Sequence, residues 1–308
     1  MTTLKYTIVD AFTSSPFSGN PAAVVILPTS TTLPDSLAQN IATEFNLSET
    51  AFVIPKEPGS NDKDGIGTAH SQTYALRWFT PRNEVPLCGH ATLATARVLF
   101  ADRSLVPESA TSLRFESLSG VLTADRVPGT RMIELDFPAA KLVGVDSEEK
   151  EKVARIVNEA VGETSLNILD VQKAGRYMVV RLGVGFDLEN ATVNAEPFAI
   201  FAATGTRGTI LTSERSSRLA PAARFISRMF APVSGVPEDP VTGAAHCLLV
   251  PYWSKILGIP TGEAFAARQA SPRGGNLSLV WDEDKGRVKL QGDAVVVAQG
   301  EMYFPLSG

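Results

Sequence analysis

The sequence predicts a mixed α/β protein made of two similar domains, each with a β-sheet curled round one central helix. Three observations lead to this prediction. The chain has 308 residues, which is long enough for two domains. A motif in the first half recurs in the second half, and each copy runs into a helix of small, apolar residues. Such a helix has no polar face to turn to solvent, so we expect a sheet to surround it.

The first half begins with strands and one amphipathic helix. Apolar residues that recur every four positions predict a helix with Asp35 as its N-cap and an end near Asn46. Glu49 then lies at a helix-to-strand junction, where side chains often face a cleft. Strand-like runs that are rich in β-branched or apolar residues occupy 6–9, 22–27, 51–54, 176–182 and 294–298.

A second amphipathic helix is predicted over Ser147–Val161. Asp146 and Glu149 stand three residues apart at its start, which is the spacing of a capping box. Gly162 follows its last residue and is a typical helix stop.

The internal repeat is the most informative feature of the sequence. Residues 77–81 (RWFTP) are echoed by 228–232 (RMFAP), and a Val-Pro pair follows both copies at the same offset. A turn and a glycine come next, Gly89 in the first copy and Gly243 in the second, and each glycine opens a small-residue helix. The repeat predicts two domains related by a pseudo-two-fold axis. We expect one domain over 1–120, joined by the strand 295–308, and the other over 121–294.

Composition excludes several classes of protein. The net charge of −5 argues against general binding to nucleic acid or to an anionic membrane, which need a basic face. The sequence has no run of about 20 apolar residues and no secretory signal in its first dozen residues. Two cysteines are too few for a disulfide scaffold and too sparse for a zinc site. We therefore expect a soluble, cytoplasmic protein without a metal.

The two helix starts are candidate sites for a carboxylate. If the domains face each other, so do the helix N-termini, whose free N–H groups and positive dipole ends attract anions. Cys88 precedes Gly89, where a helix N-terminus lowers a thiol pKa, although free cysteines are often simply buried. His90 is either an acid–base group or a structural histidine. Asp239 either orients His90 or caps the second helix.

Glu49 is the best candidate for proton transfer. It is a carboxylate at an element junction and does not belong to a charged helix face. General acid–base catalysis at carbon needs a group of this kind within hydrogen-bonding reach of the proton. From local sequence alone, an exposed or capping glutamate is the competing interpretation.

Four separated blocks of the sequence occur in an order that a known family shares: VDAFTSSPFSGNPAAVV, NLSETAFV, RWFTPRNEVPLCGHATLATA and EDPVTGAAHC. They resemble the PhzF-like (phenazine biosynthesis) family of the diaminopimelate epimerase-like superfamily. The resemblance implies the diaminopimelate epimerase-like fold, with two pseudo-symmetric domains. It also implies a cofactor-independent isomerase site between the domains, a small carboxylate-bearing substrate and a homodimer.

The resemblance also implies roles for individual residues. The catalytic positions of the family fall on Glu49, His90 and Asp239. Positions that bind the substrate or shape its site fall on Asn20, Cys88, Gly89, Thr242, Gly243, Ser271 and Arg273, of which the last two are expected anion contacts.

The resulting hypothesis is a one-base proton shift by Glu49. A racemase, epimerase or dehydratase using Cys88 is the alternative enzyme, and a non-catalytic metabolite-binding protein is the alternative without chemistry. Epimerases of this superfamily place a second cysteine before the second helix, but this chain has Thr242 there, a poor base. Cys247 lies five residues further along and is expected in the core.

Overall fold

The chain divides into two compact units, which are described separately below. A computed structural model describes residues 2–29, 31–56, 71–214 and 217–304. Unit 1 contains Met1–Asp136 and Gln291–Gly308, and unit 2 contains Phe137–Leu290. The sequence analysis placed the boundary between the two domains at residue 120. In the structure this residue begins the strand Gly120–Arg126, and the whole strand belongs to unit 1.

Unit 1 is one mixed sheet with two helices. Its elements are β1 (Thr2–Ala11), β2 (Asn20–Ile26), α1 (Asp35–Phe45), β3 (Glu49–Pro55), β4 (Ser71–Phe79), β5 (Glu84–Val85), α2 (Gly89–Ala101), β6 (Ser112–Ser117), β7 (Gly120–Arg126), β8 (Ile133–Pro138) and β18 (Ala294–Phe304). Strands β18, β1 and β2 pair antiparallel, and β2 pairs parallel with β3. Strand β4 pairs antiparallel with β3 and β5 and parallel with β6, after which β7 and β8 follow antiparallel.

Helix α2 is the buried helix that the sequence predicts. Nine of its 13 residues are buried, and it packs against β1, β2, β3, β7 and β18. The hydroxyls of Thr92 and Thr95 donate to the carbonyls of Cys88 and Ala91, at 2.6 and 2.8 Å. These bonds within the helix satisfy the two polar side chains, so the sheet can pack closely around α2.

Helix α1 ends as predicted but begins differently. Asn46 is its C-cap in a left-handed conformation, with φ of 49°. The N-cap is Pro34, so the prediction of Asp35 as the N-cap is wrong. Asp35 is the first helical residue, and its carboxylate accepts a hydrogen bond from the Arg77 guanidinium at 2.7 Å. The Asp35 carboxylate, which the sequence analysis expected to cap the helix, thus forms an ion pair with Arg77 of β4 instead.

Unit 2 repeats the pairing order of unit 1. Its elements are β9 (Val143–Gly144), α3 (Ser147–Val161), β10 (Ile168–Ala174), β11 (Tyr177–Leu182), β12 (Gly208–Ser213), β13 (Ala223–Ala231), β14 (Val236–Asp239), α4 (Gly243–Leu257), β15 (Ala264–Gln269), β16 (Gly275–Asp282) and β17 (Arg287–Gly292). Strands β9, β10 and β11 pair antiparallel, and β11 pairs parallel with β12. Strand β13 pairs antiparallel with β12 and β14 and parallel with β15, which is followed by β16. This order confirms the predicted internal repeat.

Helix α3 has the predicted bounds and caps. The carboxylate of Asp146 accepts a hydrogen bond from the Glu149 N–H at 2.8 Å. Gly162 ends the helix with φ of 72°, a conformation that favours glycine. Both predictions are confirmed because they depend on local backbone geometry alone.

An arginine–glutamate pair marks the same place in each unit. In unit 1, Arg77 donates two hydrogen bonds to Glu84, at 2.7 and 2.8 Å. In unit 2, Arg228 donates two to Glu238, both at 2.7 Å. The two glutamates are therefore structural counterparts, and each pair holds a short strand against its longer neighbour.

The register corrects the sequence alignment of the repeat. Trp78 pairs with Val85 in unit 1, and its counterpart Met229 pairs with Asp239 in unit 2. Asp239 is therefore the counterpart of Val85, and the Val-Pro pair at 236–237 is not the counterpart of the pair at 85–86. Unit 2 has extra residues before its short strand, where Pro232–Ser234 forms one 3₁₀ turn.

Helix α4 contains a proline that frees one backbone carbonyl. Pro251 has no N–H, so the carbonyl of Cys247, four residues earlier, lacks its helical partner. That carbonyl accepts a hydrogen bond from the Ala140 N–H at 3.2 Å. The Cys247 thiol is partly exposed, so its expected place in the core is wrong. None of the helices in the described ranges is long and apolar enough to cross a membrane.

Candidate active site

In unit 1, the side chains of Glu49, His90 and Cys88 form one cluster of close contacts. Glu49 is the first residue of β3, Cys88 is the N-cap of α2, and His90 is the second residue of α2. The Glu49 Oε2 lies 3.0 Å from the His90 Nε2. The Cys88 Sγ lies 3.5 Å from the His90 Nδ1. The imidazole therefore bridges a carboxylate and a thiol.

Burial differs across this cluster in a way that suits proton transfer. The His90 side chain is 6% exposed and the Glu49 side chain 18% exposed, while Cys88 is buried. Histidine is thus fixed inside the protein, and the carboxylate keeps an open edge. An oriented carboxylate with an accessible oxygen can take a proton from a bound molecule.

The pKa values in the cluster follow from burial and from neighbouring charge. Burial by itself would lower the pKa of His90, but the charges of Cys88 and Glu49 outweigh it and raise this pKa well above its usual range. Burial, aided by the charge of Glu49, raises the pKa of the Cys88 thiol. The expected lowering of the Cys88 pKa by the helix N-terminus is therefore wrong.

The same three residues are the donor types that zinc prefers. Their candidate ligand atoms all lie within 4.8 Å of one another. However, the His90 ring turns Nε2 to Glu49 and Nδ1 to Cys88, and one metal ion is bound by only one of these nitrogens. The expectation of a protein without a metal stays a prediction.

Asn20 lies on the Glu49 side of β2. It shares a face of the strand with Ala22, which is the register partner of Glu49, and it is fully buried. Gly19 shapes the approach to this position, with φ of +67°. A Cβ at Gly19 would lie 2.1 Å from the carbonyl oxygen of Ala11, so glycine is required there.

In unit 2, the predicted residues gather at the start of α4. Asp239 ends β14, Thr242 is the N-cap of α4, and Gly243 is its first residue. The Thr242 hydroxyl donates to the Asp239 Oδ2 at 2.5 Å. The Ser271 hydroxyl donates to the Pro240 carbonyl at 2.8 Å, so its proton is engaged within the protein. The anion contacts assigned to Ser271 and Arg273 remain predictions.

Gln269 is a residue of this group that sequence reasoning passed over. It is fully buried at the end of β15. Its amide oxygen accepts from the Thr242 N–H at 2.8 Å, and its amide nitrogen donates to the Asp239 carbonyl at 2.6 Å. The Gln269 side chain therefore bonds to both ends of the turn that leads into α4, at Asp239 and at Thr242. A glutamine that bonds to backbone has no characteristic spacing by which a sequence could reveal it.

The counterpart of Glu49 in unit 2 is Gly208. The strand register shows this. In each unit the next residue is a threonine, and this threonine pairs with the phenylalanine of the repeated motif, RWFTP in unit 1 and RMFAP in unit 2. Glu49 has Ala22 as its parallel partner, whereas Gly208 has Tyr177. A Cβ at Gly208 would lie 2.8 Å from the Tyr177 ring, so the ring fills this space. Burial raises the pKa of Tyr177, so the phenol stays protonated at neutral pH.

The two helix starts are likewise unequal. Cys88 and His90 in unit 1 have Thr242 and Ala244 as their counterparts in unit 2. The carboxylate–imidazole pair thus belongs to unit 1, and the corresponding turn of unit 2 has an aspartate that accepts a hydrogen bond from Thr242. The expectation that both helix starts serve one substrate stays a prediction.

Comparison with known proteins gives a consistent result. A family model described as "Phenazine biosynthesis-like protein" matches residues 9–300. Phenazine biosynthesis-like domain-containing protein 2 of Mus musculus is 42% identical, over 96% of this chain and 97% of its own. An uncharacterized isomerase of Halalkalibacterium halodurans is 41% identical, over 99% and 100%. A crystal structure of a PhzF-family protein from Enterococcus faecalis superposes with a TM-score of 0.76 and 36% identity, over 98% and 100%.

Proposed function

Since this chain belongs to the phenazine biosynthesis-like (PhzF-like) family, we propose that it is an isomerase that moves a carbon-bound proton on a small, carboxylate-bearing substrate. Kinship with a protein named as an isomerase, at 41% identity over nearly the whole chain, supports an isomerase or epimerase kind of reaction. The proton shift, the substrate class and the absence of a cofactor from the reaction are part of this proposal.

The single observation that carries the proposal is the 3.0 Å contact between Glu49 and His90. Glu49 is the general base: its carboxylate removes a proton from carbon and returns it to the same carbon or to another carbon of the conjugated system. The raised pKa of His90 keeps its imidazole protonated at neutral pH. The imidazolium holds the Glu49 carboxylate in one orientation.

The remaining groups serve the substrate. The N–H groups at the start of α2, after Cys88, attract the substrate carboxylate and stabilise negative charge that develops on the enolate-like intermediate. The start of α4 at Gly243 has the same role in the proposal, with Asp239 as a positioning and charge-tuning residue. Gly208 stands where a second base would be expected by symmetry, which supports one base over two.

The alternative reaction, a racemisation or dehydration by Cys88, has less support. A thiol whose pKa is raised by burial stays protonated at neutral pH and cannot accept a proton, and the hydroxyl of its counterpart Thr242 is a poor base. A non-catalytic, metabolite-binding protein is the other alternative, and the oriented Glu49–His90 pair speaks against it.

The first prediction is that Glu49→Gln keeps ligand binding and loses turnover. The amide preserves shape but cannot accept the proton, so we expect a rate loss of about 10²–10⁴-fold. Proton NMR can follow exchange of deuterium from D₂O into a panel of small amino and hydroxy acids. The exposed Glu44→Gln, five residues earlier, is the matched control and should behave like the wild type.

The outcomes separate the three functions. Undiminished exchange in Glu49→Gln would remove this residue from the mechanism. Loss of exchange in Cys88→Ser, with Glu49→Gln active, would establish the thiol mechanism instead. No exchange by the wild type on any member of the panel, together with measurable binding, would favour the non-catalytic alternative.

A further inference from the structure

Unit 2 has a cavity of about 470 Å³ that lies apart from the start of α4. Its lining includes Leu248, Pro251 and Tyr252 from the second half of α4, together with residues of β10 and β11. Pro251 follows Gly243 by eight residues, which is about 12 Å along a helix. The volume lies within the usual range for small-molecule sites, about 300–1,000 Å³.

Three cations line this cavity without an acidic partner. They are Lys141, Arg181 and Lys255, and none of them forms an ion pair with any residue in the described ranges. The Arg181 Nε is buried and has no hydrogen-bond partner within the part of the chain that the structure describes. The Lys255 ammonium lies 5.3 Å from the centroid of the Trp281 ring. The three side chains thus bring positive charge to the lining that no acidic side chain in the described ranges pairs, and such a lining attracts an anion.

The acid of the lining does not neutralise these cations. Asp170 lies directly opposite Arg181 in the β10–β11 ladder. Its Oδ2 accepts instead from the Tyr252 hydroxyl and from the Gln172 amide, both at 2.8 Å. The Oδ2 is therefore bonded to two neutral donors, and the lining has three cations against this one carboxylate. In a chain with a net charge of −5, this is a local excess of positive charge.

Part of the cavity wall is apolar and partly exposed. Leu169 is 43% exposed and Ile256 is 38% exposed, and both line the cavity. The segment that begins at Ala140 is held against α4, because the Cys247 carbonyl freed by Pro251 accepts a hydrogen bond from the Ala140 N–H. The helix proline therefore anchors the segment that carries Lys141. Exposed apolar side chains beside unpaired cations indicate a ligand that is both apolar and anionic.

We propose that this cavity is a second ligand site of the protein, which binds a small organic anion with an apolar body. The acidic group of the ligand accepts from Arg181 and lies near Lys255 and Lys141, and the apolar body packs between Leu169 and Ile256. The proposal does not depend on the isomerase function.

Binding of anilinonaphthalene sulfonate, followed by its fluorescence, tests the proposal on the full chain. This probe combines an apolar ring system with a sulfonate, and we expect saturation at one site per chain. Arg181→Gln should raise the Kd by about fivefold or more, since a charge-assisted hydrogen bond is lost. Arg155→Gln, an exposed arginine on α3 of the same unit, removes the same charge and should change the Kd by less than about twofold.

Two variants of opposite charge at the exposed Ile256 provide a second test of the proposal if Arg181→Gln fails to fold. Ile256→Lys should tighten and Ile256→Glu should weaken binding of the sulfonate, while the neutral probe Nile red should respond equally to both. The proposal is overturned if the sulfonate shows no saturable site or if Arg181→Gln changes its Kd no more than Arg155→Gln does. It is also overturned if Ile256→Lys and Ile256→Glu change the Kd of the sulfonate in the same way as the Kd of Nile red.

Discussion

At the scale of single residues, the two histidines placed in or near the helix starts have opposite environments. His90 faces the Glu49 carboxylate, so its charged form is stabilised and its pKa is raised. His246 is fully buried, and its Nδ1 lies 2.8 Å from the Thr242 carbonyl. Burial lowers the pKa of His246 to about 4, which the bond to Thr242 only partly offsets. The same side chain is thus an ion in one unit and a neutral group in the other.

The second prediction concerns the acid stability of the fold and follows from His246. Its pKa lies near 6.5 in the unfolded chain and about 4 in the folded one, so the unfolded state binds the proton more tightly. The free energy of unfolding should be unaffected by this group above pH 6.5. It should fall as the pH drops from 6.5 to 4, by up to about 3 kcal/mol.

Urea unfolding of the wild type and of His246→Gln at a series of pH values measures this effect. Other titrating groups contribute to both proteins, so their difference isolates His246. The variant should be less sensitive to acid than the wild type between pH 6.5 and 4. Parallel curves for the two proteins would contradict the prediction.

At the scale of elements, the structure fixes the start of α4 through contacts that come from another strand. Gln269 at the end of β15 bonds to both Asp239 and Thr242, and the hydroxyl of Ser271 bonds to the Pro240 carbonyl. In unit 1, the hydroxyl of Ser119 likewise bonds to the Pro86 carbonyl, at 2.9 Å. The serine contact is therefore common to both units, and the glutamine clasp is the addition in unit 2.

The third prediction is that Gln269→Leu destabilises unit 2 and loosens the turn before α4. The Thr242 N–H would lose its acceptor while remaining buried, which costs about 1–3 kcal/mol. Gln269→Glu keeps an acceptor for that N–H but loses the donor to the Asp239 carbonyl, so we expect an intermediate effect. The free energy of unfolding and amide hydrogen exchange over 239–245 measure both changes.

Two results would contradict the prediction for Gln269. If exchange over 239–245 were as slow in Gln269→Leu as in the wild type, the glutamine would not hold the turn. A global loss of stability without faster local exchange would assign Gln269 to general packing.

At the scale of the whole molecule, two units of one topology carry different chemical groups. The counterparts of Glu49 and His90 are Gly208 and Ala244, and the counterpart of Asp239 is Val85. A repeat whose copies were chemically equal would suit a two-base reaction on opposite faces of one carbon. The unequal copies suit a reaction with a single base, in agreement with the proposed function.

The fourth prediction is that the chain forms a homodimer, as the family resemblance implies. Sedimentation equilibrium at micromolar concentration should give twice the mass of one chain. A mass of one chain over the full concentration range would contradict this prediction without affecting the proposed reaction, because Glu49 and His90 belong to the same chain.

Local geometry and periodicity along the chain were enough to predict several elements. These are five of the strands, the amphipathic helix at Ser147–Val161 with its caps, and the two central helices. The sequence also predicted Glu49 at the junction of α1 and β3, because a helix stop followed by a β-branched run is a local signal.

Features that depend on burial and on distant neighbours became visible in the folded chain. The tertiary structure made Asp239 the counterpart of Val85, because strand register is set across the sheet and not along the chain. It raised the pKa of Cys88, because burial outweighs the helix N-terminus. It left Arg181 outside the ion pairs of the described residues, while the Asp170 carboxylate accepts from Tyr252 on α4 and from Gln172 on its own strand. The charge state of a group depends on what surrounds it in space, and the sequence orders residues only along the chain.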